Sequence, residues 1–568
     1  MWTSRTGRRW ALLPAPDAAI VSLRQSLGLL PLTARVLAAR GFDASTAPGF
    51  LAAADGPLHD PALLKGVPAA LERIERAISA SEHVRLVTDY DVDGTTSCLI
   101  LHAALDRRVT AAGSHAVVSY HVPDRFREGY GLSALAVEKA AADGVKLLVT
   151  ADIGVRDHAT VAQARSLGVD VIVVDHHLPA GESVPEAALA VICPPQAGCP
   201  YPNKALAACG VSLKLASALL ASDPRREDVL RSLFKLAAIG TVADVVDLAT
   251  PENRAIVARG LDALNHDRHG PGLAALLAVA GADKAPLGAG DLGFRIGPRI
   301  NAAGRLQDAN AVVRLLRERD PAAARAQALA LDHLNRERQG IQEELVEAAL
   351  ARVPASLPGF VVVWGPESEG WHRGVVGIVA SKVRERVHRP VAIVSDLGAV
   401  ATGSVRSVPA VHAVRALDSV ADLLVRYGGH AAAAGFTVPS ERLPELAARL
   451  SAWVDTHAGA EDLIPVCEVD AATSGAAITT ALVAELARLE PCGKGNPTAR
   501  LVVEGPITGL RVVKDRHLFF HAGGAECVWW GAADQRDLLT GATAVLGSPT
   551  LNDWNGRVNA RITVEDVA

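Results

Sequence analysis

Paired cysteines are missing from this sequence. Its seven (Cys98, Cys193, Cys199, Cys209, Cys467, Cys492, Cys527) fall singly, with no Cys-x-x-Cys among them. An odd, scattered set argues against a disulfide frame or a zinc site and fits the reduced thiols of a cytoplasmic protein. A surplus of basic charge is missing too. Lys and Arg total 57 against 62 Asp and Glu, for a net charge of −5 and a pI near 6.4. Any polyanion must therefore be met by a local groove, because global attraction will not hold it. Long apolar runs are also lacking. After Arg5, Arg8 and Arg9, the stretch WALLPAPDAAI is short and broken by Pro14 and Pro16, so neither a signal peptide nor a membrane span is expected.

What is present is ordinary globular text. The composition is 49% hydrophobic and 21% charged over 568 residues, enough for three or four domains. One stretch stands out, VTDYDVDGTTS from Val87 to Ser97. Asp89, Asp91 and Asp93 alternate with Tyr90 and Val92 just past the apolar run Val84–Val87. In extended backbone the three carboxylates would crowd one face, where cations relieve their repulsion. No Lys or Arg interrupts the stretch, so oxygen ligands for a hard divalent ion are one reading and a solvated acidic turn is the other.

The surrounding pattern is α/β. VRLVTD (84–89), AVVSYHV (116–122), KLLVTAD (146–152) and DVIVVDHH (170–177) are unalternating β-branched runs separated by Ala-rich helical stretches. Such strands belong to a parallel sheet buried on both faces, with ligands at its carboxyl end. Asp91 and Asp93, then Asp152, then Asp175, His176 and His177 follow three of these runs, and Asp244 sits in IGTVADVVDL. A single strand-end Asp commonly caps the next helix, but four such sites converging on one edge suit a metal centre better.

The phrases DYDVDG, TADIG, VVDHH and ADVV resemble, in order and spacing, the motifs of the DHH phosphoesterase superfamily. FRIGPRINAAGRL (294–306) and WHRGVVGIVASKV (371–383) are similar to the RecJ family within it, single-strand-specific exonucleases, over residues 50 to the C-terminus. The resemblance implies a parallel-sheet DHH domain joined by a long helix to a second α/β, DHH-associated domain, followed by an OB-fold barrel. The implied boundaries are a lead-in at 1–45, the DHH domain at 46–250, a helical region at 251–354, the DHH-associated domain at 355–458 and the OB-fold at 459–568.

It further implies two divalent ions, Mn²⁺ or Mg²⁺, on Asp91, Asp93, Asp152, His176 and Asp244, with Asp89 as an additional ligand or as a partner that supports one. His177 would contact the phosphate or protonate the leaving group, Asp175 would orient a histidine, and Asp93 is counted with these two as catalytic. The activity implied is 5′-to-3′ hydrolysis of single-stranded DNA to mononucleotides in repair and recombination. A monomer in the cytoplasm is expected, with single-strand-binding protein and a helicase as partners. The rivals are a DHH enzyme acting on short oligonucleotides, cyclic dinucleotides or pyrophosphate, and a DNA-binding scaffold that lost its metals.

Groups expected on DNA lie further along. Arg295, Arg299, Asn301 and Arg305 stand among small residues, where guanidinium suits phosphate. Asp320-Pro321 opens a helix to about Val353. In the second α/β segment, His372, Arg373, Ser404, Arg406, Gly429 and His430 are candidates, with Val405 standing where the family has glycine. The last hundred residues carry short strands with Trp529, Trp530 and Trp554. Trp529 and Trp530 point to opposite faces of a strand, one to the core and one, taken as Trp530, free for a base.

Overall fold

The computed structural model describes residues 2–568 apart from 126, 180, 182, 285, 307 and 555. It divides into two compact units: Ala44–Asn335 with Ala487–Thr498, and Met1–Asp43 with Arg336–Leu486 and Ala499–Ala568.

In the first unit, β1 (His83–Thr88), β2 (Val117–His121), β3 (Leu147–Ala151), β4 (Asp170–Val174) and β5 (Ala190–Ile192) pair in parallel, in the order 2-1-3-4-5. Successive side chains feed two cores. Leu86, Val149 and Ile172 join the cluster containing α1 (Val92–Ala111), while Val87, Leu148 and Val171 join that containing α2 (Ala134–Ala142) and α3 (His158–Ser166). Both faces are covered, which is why these strands show no hydrophobic alternation. The strand order reverses between β1 and β3, so their carboxyl ends splay apart and leave a crevice there. α4 (Ala208–Leu219), α5 (Arg226–Ala243) and α6 (Gly297–Leu306) complete the elements that build the site.

α7 (Pro321–Ala351) begins in the first unit and ends in the second. Asp320 caps it through Oδ2, which accepts from the Ala323 N–H at 2.7 Å. Its 31 residues span about 47 Å at 1.5 Å each, and Leu331, Leu334 and Leu345 form its buried stripe.

The second unit contains a mixed sheet of β6 (Val361–Pro366), β7 (Val391–Asp396), β8 (Val400–Arg406), β9 (Arg426–Gly429) and β10 (Ala433–Pro439), in the order 9-10-8-7-6. Only β6 and β7 pair in parallel. Among the described residues, a seven-stranded sheet follows, from Ala471–Ser474 to Arg557–Val567.

The N-terminal segment is more than a lead-in. Helices Asp17–Leu27 and Pro31–Ala39 are separated by Gly28 at φ 65°, and strand Arg9–Leu12 pairs in parallel with Val466–Val469. The fully buried Asp566 carboxylate accepts from Ser4 Oγ (2.7 Å), Thr6 Oγ1 (2.8 Å) and Trp10 Nε1 (2.7 Å). These partners lie more than 550 positions apart in the chain, so no local pattern announces them.

Candidate metal and phosphate site

The Asp89–Asp93 stretch is not extended. β1 stops at Thr88, and the chain turns directly into α1. Asp91 is the N-cap of α1, its Oδ1 accepting from the Gly94 N–H at 3.0 Å. A Cβ at Gly94 would lie 2.3 Å from the Asp89 carbonyl oxygen, so only glycine lets the helix start this close to the strand end. The turn sends the carboxylates to two places instead of one face. Ligand atoms of Asp89, Asp91 and Asp152 lie within 4.8 Å of one another, and those of Asp93, His176 and Asp244 form a second such group. A third joins Asp152 to His176 and His177, linking the two.

Each ligand is held by its own element. Asp93 is fully buried, and its two oxygens accept from the Ala208 and Cys209 N–H groups (2.7 and 2.8 Å) at the start of α4. The positive end of that helix offsets part of its charge. Asp152, at the end of β3, adopts φ 66°. Gly154 follows at φ 114°, where a Cβ would meet Thr150 Oγ1 at 2.6 Å. Asp244 does not end a strand, contrary to the expectation of four strand-end sites. It is the C-cap of α5, followed by Val245 at φ 57°. A β-branched residue with left-handed backbone is strained, and such strain collects at functional sites.

The electrostatics call for cations. Burial, followed by the Asp91 charge, raises Asp89 well above the ordinary carboxylate range, and burial with Asp91, Asp93 and Asp89 does the same to Asp152. Burial and the Asp93 charge push Asp244 up to about 8. His176 is raised as well: burial works against its charge, but the Asp244 and Asp93 carboxylates outweigh it. His176 Nε2 is buried without a hydrogen-bond partner, yet lies 3.3 Å from Asp152 Oδ1 and 4.0 Å from Asp93 Oδ2. A buried, unsatisfied imidazole nitrogen among carboxylates that resist ionising is a donor set that fits Mn²⁺ or Mg²⁺, the imidazole favouring Mn²⁺.

Beside this cluster, Asp175 Oδ1 accepts from the backbone N–H of His176 (2.7 Å) and lies 2.8 Å from His177 Nδ1. Its Oδ2 accepts from the Val155 N–H at 3.0 Å. Burial alone would raise Asp175, but the His177 contact holds it below its usual range. Tyr130, which sequence reasoning passed over, places its hydroxyl 3.2 Å from His177 Nε2 and 3.3 Å from the Asp152 carbonyl oxygen. The Arg125 guanidinium lies 4.8 Å from the Tyr90 ring centroid and favours the ionised form of Asp89. Both come from a loop without periodicity, and the one local signal was Tyr130 between Gly129 and Gly131.

The FRIGPRINAAGRL block divides. Arg295 bonds Asp291 (2.8 Å) and the Ala280 and Gly281 carbonyls, and Arg299 bonds Asp332 (2.9 Å) and the Arg295 carbonyl (2.6 Å). In this structure both guanidiniums are hydrogen-bonded to protein acceptors. Arg305, in α6, is close enough to Tyr90 to favour that residue's ionised form, and Asn301 lies one helical turn before it. A Cβ at Gly304 would lie 2.7 Å from the Tyr90 carbonyl oxygen, so α6 packs directly on the turn that carries Asp89 and Asp91.

In the second unit the candidates gather near the start of α8 (Val376–Val387). His372 Nδ1 accepts from the Gly374 N–H at 3.1 Å, and Arg373 lies 3.8 Å from Glu367. Arg406 Nη1 donates to Ser404 Oγ at 3.0 Å, both beside Gly377. Arg406 pairs in register with Ala433, so the turn after Gly429 and His430 adjoins it. Gly429, at φ 150°, has no room for a Cβ, which would lie 2.4 Å from the Ala433 carbonyl oxygen. Val405 is fully buried, on the opposite face of β8 from Ser404 and Arg406, so its bulk enters the core and leaves their face unchanged. Farther along, Trp529 is 7% exposed and Trp530 48%. Trp530 has His517 and Phe519 edge-on and Arg561 5.4 Å from its ring centroid. The Trp554 side chain lies outside the described residues.

A 2-1-3-4-5 parallel sheet with carboxylates and histidines at its switch point is a DHH-type phosphoesterase fold. Residues 83–241 match the DHH family N-terminal domain, 357–456 the DHHA1 domain and 469–566 the RecJ OB domain. The chain is 35% identical to the single-stranded-DNA-specific exonuclease RecJ of Bacillus subtilis, covering 99% of this chain and 71% of that one. To the protein of that name from Escherichia coli it is 37% identical, covering 80% of each. A crystal structure of RecJ from Thermus thermophilus in complex with Mn²⁺ superposes with a TM-score of 0.83 at 31% identity, covering 99% of this chain and 80% of the other. The chain belongs to the RecJ family.

Proposed function

We propose that this cluster hydrolyses single-stranded DNA from its 5′ end to mononucleotides, with two divalent cations, Mn²⁺ or Mg²⁺, as cofactors. The observation that carries the reading is the pair of linked ligand groups at the switch point, with the unsatisfied His176 Nε2 between their carboxylates. Asp89, Asp91 and Asp152 would hold one ion, and Asp93, His176 and Asp244 the other. Bound there, such ions supply a water nucleophile at neutral pH and neutralise charge on the phosphate.

The chain's own groups do the rest. Asp175 fixes the His177 ring through Nδ1, which leaves Nε2, beside the Tyr130 hydroxyl, to exchange a proton with a reacting oxygen. Asn301 and Arg305 of α6 serve the strand beside the Asp89–Asp91 turn. His372, Arg373, Ser404, Arg406, Gly429 and His430 grip phosphates, and Trp530 stacks a base. Among the described residues no helix is long and apolar enough to cross a membrane. The protein works as a cytoplasmic monomer in repair and recombination, with single-strand-binding protein and a helicase as partners.

The test is digestion of a long single strand labelled at either end, with Mn²⁺ and with EDTA. Early release of the 5′ label as a mononucleotide, stopped by EDTA, is expected. Cleavage confined to two- to five-nucleotide substrates would replace the reading with a small-substrate phosphodiesterase. Asp93→Ala and His176→Ala should each abolish cleavage while leaving strand binding largely intact.

A further inference from the structure

Ala487–Thr498 packs with the first unit although the chain on both sides of it belongs to the second. Its moorings are extensive. Arg254, almost fully buried, donates to the carbonyls of Leu489 (2.8 Å), Glu490 (2.8 Å) and Pro491 (2.9 Å). The buried Asn496 amide donates to Leu489 and Pro491 as well. The Leu248 N–H donates to the Lys494 carbonyl at 2.8 Å. Glycine on each side permits the approach: a Cβ at Gly493 would lie 2.8 Å from Leu248 Cδ1, and one at Gly495, where φ is 76°, would lie 1.9 Å from Asp247 Oδ1.

These contacts press the Gly493-Lys494-Gly495 turn onto residues three and four positions past the ligand Asp244. Every one of them is made by backbone or by neighbours of Lys494, and the lysine side chain is exposed and makes no ion pair among the described residues. The turn that carries it is hydrogen-bonded to Leu248, four residues past Asp244, and packs on Asp247. A lysine that the fold does not need, carried on a rigid turn beside a ligand, has a use when a polyanion must enter an acidic crevice. Arg125, over the Tyr90 ring between Asp89 and Asp91, is a cation beside the other ligand group.

We propose that Lys494 is a substrate-binding residue that contacts a backbone phosphate of the DNA strand at the Asp244 end of the cluster. An ammonium on a flexible stem suits one phosphate oxygen as a point charge, and the fixed turn confines where it can reach. This rests on the exonuclease reading, and wild-type cleavage measured in parallel keeps the two separable.

The experiment compares wild type, Lys494→Ala and Lys494→Arg on a labelled single strand at saturating Mn²⁺ over a range of salt. Lys494→Ala should lower kcat/KM about tenfold or more, mainly through KM, and Lys494→Arg should recover most of it. The slope of log kcat/KM against log salt should become shallower by about 0.7, the loss of one single-strand phosphate contact. Mn²⁺ binding alone, by calorimetry, should be unchanged. An unchanged salt slope in Lys494→Ala would overturn the proposal. So would a tenfold weakening of Mn²⁺ binding, which would mean that the lysine acts through Asp244.

Discussion

Removing the cations should make this protein's stability fall as pH rises, the reverse of ordinary carboxylate behaviour. Asp89, Asp152 and Asp244 are raised by burial and by one another, Asp244 to about 8. A carboxyl whose folded value exceeds its unfolded one binds more protons when native, so stability is full below pH 4 and drains away as pH climbs towards 8. His176, also raised, works in the same direction. Asp175, which is lowered, loses its contribution only as pH falls below 4, outside this window. At about 1.4 kcal/mol per pH unit, Asp244 alone has a ceiling of roughly 6 kcal/mol. Protons shared among the coupled carboxylates bring the sum down to a few kcal/mol. For a domain of this size that is about 5–10 °C in the unfolding midpoint.

The assay is a thermal melt from pH 5 to 8.5 in chelator and again in excess Mn²⁺. The chelated midpoint should drop across the range. Mn²⁺, which displaces the protons, should add little at pH 5 and most at pH 8, about 2.7 kcal/mol per site at a hundred times its Kd. A chelated midpoint that stays flat or rises, or a Mn²⁺ gain equal at both ends, would refute the reasoning.

Other expectations follow from single contacts. Gly94→Ala, which sets a Cβ 2.3 Å from the Asp89 carbonyl, should separate strand from helix and cut cleavage at least a hundredfold, measured by single-turnover digestion. Asp566→Ala removes three hydrogen bonds to the N-terminal segment, two of them buried, and should destabilise the second unit by about 3 kcal/mol, seen in denaturant unfolding. Trp530→Ala should weaken binding of long single strands by roughly ten- to a hundredfold, the worth of one stacked base, and leave cleavage of trinucleotides unaffected.

Much of this protein was legible in one dimension because the signals are local. Unalternating strands reported a two-faced sheet, and α7 was marked by its cap and its apolar stripe. The ligands themselves are residue types that chemistry demands near strand ends. Tertiary structure decided how they are shared. A sharp turn at Gly94, not an extended face, separates Asp93 from Asp89 and Asp91, and a helix end brings Asp244 to them. It also spent Arg295 and Arg299 on internal acceptors, set Tyr130 against His177 and carried Lys494 back to Asp244. The N-terminal strand is tied to Asp566 by contacts spanning nearly the whole chain. None of these could be read from a periodicity. Apart from the Gly94 turn and the Arg295 and Arg299 bonds to near neighbours, each is a distance between residues far apart in sequence, and the packing of the unit sets it.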